Sequence, residues 1–129
     1  MIKIGLNMEN RVFSESVMII LQQTGNFKPV YFSYENREKF LTESVAFQPD
    51  IFLFDVRPFP EHETLENRMT IIKKIREGVP DCKIALICDE TAFPELAVNV
   101  MRAKQMGAVD AFFYESVTAE YLIASLYSL

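Results

Sequence analysis

The chain has 129 residues, half of them hydrophobic and 24% charged, with a net charge of −5. That suffices for one domain with its own core and is short for two, and the acidic balance argues against direct nucleic-acid binding, which needs a basic face to neutralise phosphates. No apolar run approaches the roughly 20 residues that span a bilayer, and Met1-Ile2-Lys3-Ile4 reads as a strand rather than a leader, so a cytoplasmic protein without membrane partners is expected.

Strand and helix patterns alternate along the whole chain. Ile2 to Asn7 reads as the first strand and Arg11 to Thr24 as the first helix, with Asn10 or Ser14 as candidate caps and Gly25 as its stop. Pro29 to Ser33 is the second strand, rich in Val and aromatic residues, and Arg37 to Phe47 the second helix, ending before Gln48-Pro49. Ile51 to Val56 is the third strand. A loop with two prolines, Arg57 to about Thr64, leads into a third helix with Leu65, Met69, Ile72 and Ile75 at helical spacing. Lys83 to Cys88, Pro94 to Met106, Asp110 to Tyr114 and Thr118 onward complete the series. Five βα units in succession predict an α/β fold of the flavodoxin-like type, a parallel sheet of order 2-1-3-4-5 between two helical layers.

In such a sheet, chemistry sits outside the carboxyl ends of the strands, at the switch point between strands one and three. The four apolar residues before Asp55 mark a strand buried on both faces, so Asp55 stands at that rim, opposite Asn7-Met8-Glu9. Glu9 and Asp55 are therefore candidates for a shared site. Two carboxylates there suit a magnesium ion, and an aspartate beside the ion could accept a phosphoryl group. The alternative from spacing alone is that Glu9 caps a helix and Asp55 is a solvated strand end.

Other chemistry is thinly represented. Cys82 and Cys88 lie about 20 Å apart on one extended strand, too far for a disulfide, and no Cys/His pair has zinc spacing. His62, the only histidine, lies between Glu61 and Glu63 and reads as a solvated loop residue. The chain has neither a glycine-rich phosphate loop nor a nucleophile elbow, which argues against an enzyme or a flavin binder on this scaffold.

Pro49-Asp50-Ile51-Phe52-Leu53-Phe54-Asp55-Val56, Lys83-Ile84-Ala85-Leu86-Ile87 and Met106-Gly107-Ala108-Val109-Asp110-Ala111-Phe112-Phe113, set in the fivefold βα alternation, resemble the receiver domain of two-component response regulators. The resemblance covers nearly the whole chain, and it implies a signalling domain, residues 1–129, at the start of a longer regulator. It places the phosphoacceptor on Asp55 and a metal-ligating carbonyl on Arg57. The family's acidic pair falls on Met8 and Glu9, so one acid is missing. Its hydroxyl on strand four falls on Cys88, the small residue after it on Asp89, its lysine on Tyr114, the following proline on Glu115, and its switch aromatic on Ala111.

Such departures weaken magnesium binding, remove the cation that pairs with the phosphoryl oxygens, a contact worth roughly 1.5–3 kcal/mol, and leave no ring to move. The expectation is an atypical receiver that acts by protein–protein contact on an attached output domain, DNA-binding in many receivers, or on a partner. Homodimerisation is expected through the face of helix four, strand five and helix five, with Ala97, Met101, Lys104, Phe113, Tyr121 and Tyr127. The alternative is a conventional receiver phosphorylated on Asp55 by a sensor histidine kinase with Mg²⁺.

Overall fold

A computed structural model describes residues 1–33 and 35–129. Its described residues form five strands and five helices: β1 (Ile2–Asn7), α1 (Arg11–Thr24), β2 (Phe27–Tyr31), α2 (Arg37–Phe47), β3 (Ile51–Asp55), α3 (Leu65–Gly78), β4 (Lys83–Cys88), α4 (Pro94–Gln105), β5 (Ala111–Tyr114) and α5 (Ala119–Tyr127). The strands make one parallel sheet in the order β2-β1-β3-β4-β5, as the alternation predicts.

Side-chain alternation along the strands divides the interior in two. Phe52, Phe54, Ile84 and Leu86 face the layer of α2, α3 and α4, where they meet Phe40, Ile71, Ile75 and Val100. Ile4, Leu6, Leu53, Ala85 and Ile87 face α1 and α5, meeting Val17, Leu21, Leu122 and Leu126. Phe52 fixes one residue on its neighbour strand. It pairs with Gly5, and a Cβ on Gly5 would lie 2.9 Å from the Phe52 ring, so β1 carries glycine where the ring crosses it.

The helix ends follow their capping chemistry. Asn10, not Ser14, caps α1 by accepting from the Phe13 N–H, while Ser14 is buried one turn in. Gly25 ends the helix at φ +74°, the left-handed conformation that glycine adopts without a Cβ penalty.

The second strand is displaced from its expected position. It runs Phe27–Tyr31 rather than Pro29 to Ser33, with Ile2 opposite Phe27 and the Ile2 N–H bonded to the Asn26 carbonyl. Gly25 turns the chain so tightly that pairing with β1 begins at once. Pro29 is tolerated inside the strand because β2 is a sheet edge. Among the described residues no helix is long and apolar enough to cross a membrane.

Candidate functional site

Asp55 ends β3 at the carboxyl rim of the sheet and is 3% exposed. A carboxylate so deeply buried needs partners, and here they are supplied by the chain itself. Arg68, on α3 and 0% exposed, lays its guanidinium across the ends of β1 and β3. Its Nη2 donates to Asp55 Oδ1 at 2.7 Å and to the Asn7 carbonyl at 3.2 Å. Its Nη1 donates to Asn7 Oδ1 at 2.6 Å, and its Nε to the Asp55 backbone carbonyl at 2.7 Å. Glu63 lies 3.7 Å from Nη1, and the guanidinium carbon sits 4.9 Å from the centre of the Phe54 ring.

The second oxygen of Asp55 is also engaged. Oδ2 accepts the Glu9 N–H at 2.9 Å and lies 3.5 Å from Arg57 Nη2. Arg57 spans from there to Glu115, 3.9 Å away. The structure thus brings Glu9 to Asp55, but through the backbone of Glu9. The Glu9 carboxylate faces the loop between β3 and α3, with Oε1 2.9 Å from His62 Nδ1 and Oε2 accepting the Glu63 N–H at 3.3 Å. His62 is therefore the partner of Glu9 rather than a purely solvated loop residue, because the two-proline loop folds back over the rim. Phe59 anchors that fold by edge contacts with His62 and Phe93, at 5.8 and 5.3 Å between ring centroids. Glu9, Arg57, Phe59, His62 and Phe93 line a shallow cleft of about 390 Å³.

Burial raises the Glu63 carboxyl above its ordinary range, with Arg68 opposing and Glu9 and Asp55 reinforcing. Burial raises Glu115 likewise, against Arg57. Both acids hold their protons to higher pH than exposed glutamates.

The remaining sequence candidates lie as follows. Met8 is 2% exposed and packs among Ile4, Leu6 and Val17, so the place of the first acid is apolar. Arg57 donates its backbone N–H to the Glu63 carbonyl and contributes its side chain to the rim. Cys88 is fully buried, and burial pushes its thiol up to about 12, so it is no thiolate at neutral pH. Tyr114 is half-buried and packs against the core beside Phe112, centroids 5.6 Å apart. Ala111 packs on the α1–α5 side. Asp89 closes a turn, its Oδ1 accepting the N–H groups of Thr91 and Ala92, and its charge acts on Glu115 and Cys88.

Similarity to known proteins is one of shape. No family model matches the chain, and no curated protein matches it. Among solved structures, the signal receiver domain of the response regulator NarL from Mycobacterium tuberculosis superposes with a TM-score of 0.71 at 16% identity, covering 98% of this chain and 94% of that one. The chain has the receiver fold. The receiver domain of a modulated diguanylate cyclase from Desulfovibrio desulfuricans gives 0.69 at 15% identity, over 98% and 90% of the two chains. A Burkholderia pseudomallei response regulator, solved with a phosphorylated aspartic acid, calcium and citrate, gives 0.65 at 16% identity over 96% of this chain and 65% of that one.

The receiver fold implies a divalent cation at this rim, and the residues here do not fit one. Magnesium needs only one or two carboxylates beside water, so the test is whether Asp55 and Glu9 are free to serve it, since among the described residues no larger cluster of His, Cys, Asp or Glu forms. Asp55 accepts from Arg68 and Glu9, Glu9 faces His62, and Met8 offers no oxygen from its side chain. Magnesium takes oxygen ligands in near-octahedral array, and a guanidinium 2.7 Å from the central carboxylate opposes it by charge.

Proposed function

We propose that this chain is a signal-transduction domain with an atypical receiver site, acting by protein–protein contact through the α4–β5–α5 face on an attached output domain or a partner. The supporting observation is the state of the switch positions. A receiver's readout needs a donor on β4 that moves a ring on β5, and a switch needs a bistable element. Here the β4 position is a buried thiol and the β5 position is the Ala111 methyl, while the neighbouring rings of Phe112 and Tyr114 are half-buried, packed against the core from the side.

Beside Ala111 opens a groove of about 430 Å³ whose lining includes Lys104, Phe112, Tyr114, Tyr121 and Leu129. Tyr121 is more than half exposed in this groove, whereas Tyr127, also exposed, does not line it and sets its ring against Phe27 of β2, 6.4 Å between centroids, at the sheet edge opposite β5. Tyrosine of this kind is enriched at interfaces, and we take the occupant to be a second copy. Ala97 and Phe113 of the same face are buried within the domain and support it from below. A cytoplasmic location accords with this role. The second reading, a phosphoacceptor served by a histidine kinase and Mg²⁺, is favoured by the place of Asp55 at the rim and opposed by the guanidinium bound to it.

Sedimentation velocity over a concentration series tests the contact. The wild-type chain forms a dimer, and Tyr121→Glu shifts it to monomer without loss of helicity. A wild-type chain that stays monomeric at its solubility limit contradicts dimerisation through this face.

A further inference from the structure

We infer that Arg68 is the resident counter-cation of the acidic site: its guanidinium takes the place of a divalent ion and of the missing lysine, and makes Asp55 a structural acceptor rather than a nucleophile. This concerns the rim of the sheet and stands whether or not the α4–β5–α5 face dimerises.

The geometry satisfies what a metal centre would otherwise satisfy. A divalent ion at the end of β3 would draw together the carboxylate of that strand, the end of β1 and the loop that follows. Arg68 does the same by hydrogen bonds, tying Asp55 Oδ1 and the Asp55 carbonyl on β3 to Asn7 Oδ1 and the Asn7 carbonyl on β1. Asn7 completes the tie by donating from Nδ2 to the Phe32 carbonyl at 2.7 Å, beyond β2. Planar, permanently charged guanidinium suits this task better than an ammonium, because its donors are spread in a fixed fork.

The surroundings are arranged around that cation. Phe54 covers one side of it, Glu63 approaches from the loop, and solvent does not reach it. Arg57 adds a second positive charge on the outer oxygen of Asp55 and is itself held by Glu115. Asp55 therefore accepts from Arg68 on one oxygen and from the Glu9 N–H on the other. An attacking carboxylate must present an accessible lone pair to phosphorus, and here each oxygen already accepts an N–H, two guanidinium groups draw on its charge, and the group is only 3% exposed.

Manganese titration of ¹⁵N-labelled protein reads the claim, with a metal-binding receiver domain as positive control. Expected is that wild-type amides at Glu9, Asp55 and Arg57 show no selective paramagnetic broadening, and that the melting temperature is the same in Mg²⁺ and in chelator. Arg68→Gln removes the charge and keeps a side chain that can bond to Asn7. In that variant the same amides broaden, with Mn²⁺ affinity raised by about tenfold or more, and Mg²⁺ raises the melting temperature. If the glutamine variant does not fold, Arg68→Met refolded with and without Mg²⁺ gives the same comparison. Selective broadening in the wild type overturns the inference. So does a folded, neutral variant that gains no affinity, since Arg68 would then not be what fills the site.

Discussion

Replacing Arg68 by methionine lowers the unfolding free energy by about 3–5 kcal/mol, the range for breaking one side of a buried ion pair, measured by urea denaturation in chelator. The cause is the carboxylate left behind. Asp55 is 3% exposed and loses its shortest charged contact, 2.7 Å to Nη2, while Asn7 Oδ1 loses a donor at 2.6 Å. Methionine fills similar space beside Phe54 but satisfies neither oxygen. Asp55→Asn together with Arg68→Met costs less than the sum of the two single changes, because the double variant removes both members of the 2.7 Å pair rather than stranding one of them. The exposed pair Lys39–Glu43, 3.8 Å apart on α2, supplies the contrast: Lys39→Ala changes stability by less than about 1 kcal/mol.

Phe52→Ala is expected to cost about 3–5 kcal/mol, as for other fully buried phenylalanines. Its ring is 0% exposed, stacks on Phe54 at 4.4 Å between centroids, and meets Phe32 and Phe40 at 5.7 Å each. It also covers Gly5, which has no side chain with which to fill the space. The cavity would thus lie between β1, β3 and α2, where backbone on two sides limits collapse. Because Phe52 touches neither Asp55 nor Arg68 among these ring contacts, the variant should remain free of manganese broadening while losing stability. Differential scanning calorimetry gives the loss directly. Phe59→Ala, at a half-exposed loop position, changes the melting temperature far less.

The fold was legible because the periodic signals agree with one another. The uninterrupted run Ile51 to Phe54 could only be a strand covered on both faces, and each helix carried a recognisable start or stop. The second strand was displaced because Val and aromatic content pointed to Pro29 to Ser33, whereas register is set by pairing with β1 immediately after Gly25. The site was legible only in part. Asp55 and Glu9 stood out as acids at strand ends, but the structure joins them through the Glu9 N–H, with the Glu9 carboxylate turned to His62. Arg68 was missed because it is remote in sequence from both and belongs to no familiar motif. A signal was nonetheless present: with Leu65, Ile72 and Ile75 on the inward stripe of α3, position 68 lies on that same stripe, and a charged residue there requires a buried partner. The pairing of His62 with Glu9 had no comparable signal, since it depends on how the loop from Arg57 to Thr64 folds over the rim.

The most direct measurement is intact-mass spectrometry after incubation with acetyl phosphate and Mg²⁺, with Asp55→Asn as control and a phosphorylatable receiver domain processed in parallel. With Arg68 and the Glu9 N–H holding the two oxygens of Asp55, the wild-type chain gains no phosphoryl adduct while the parallel receiver does. A wild-type adduct that disappears in Asp55→Asn would contradict the account, because it would show Asp55 released from Arg68 and serving as a phosphoacceptor.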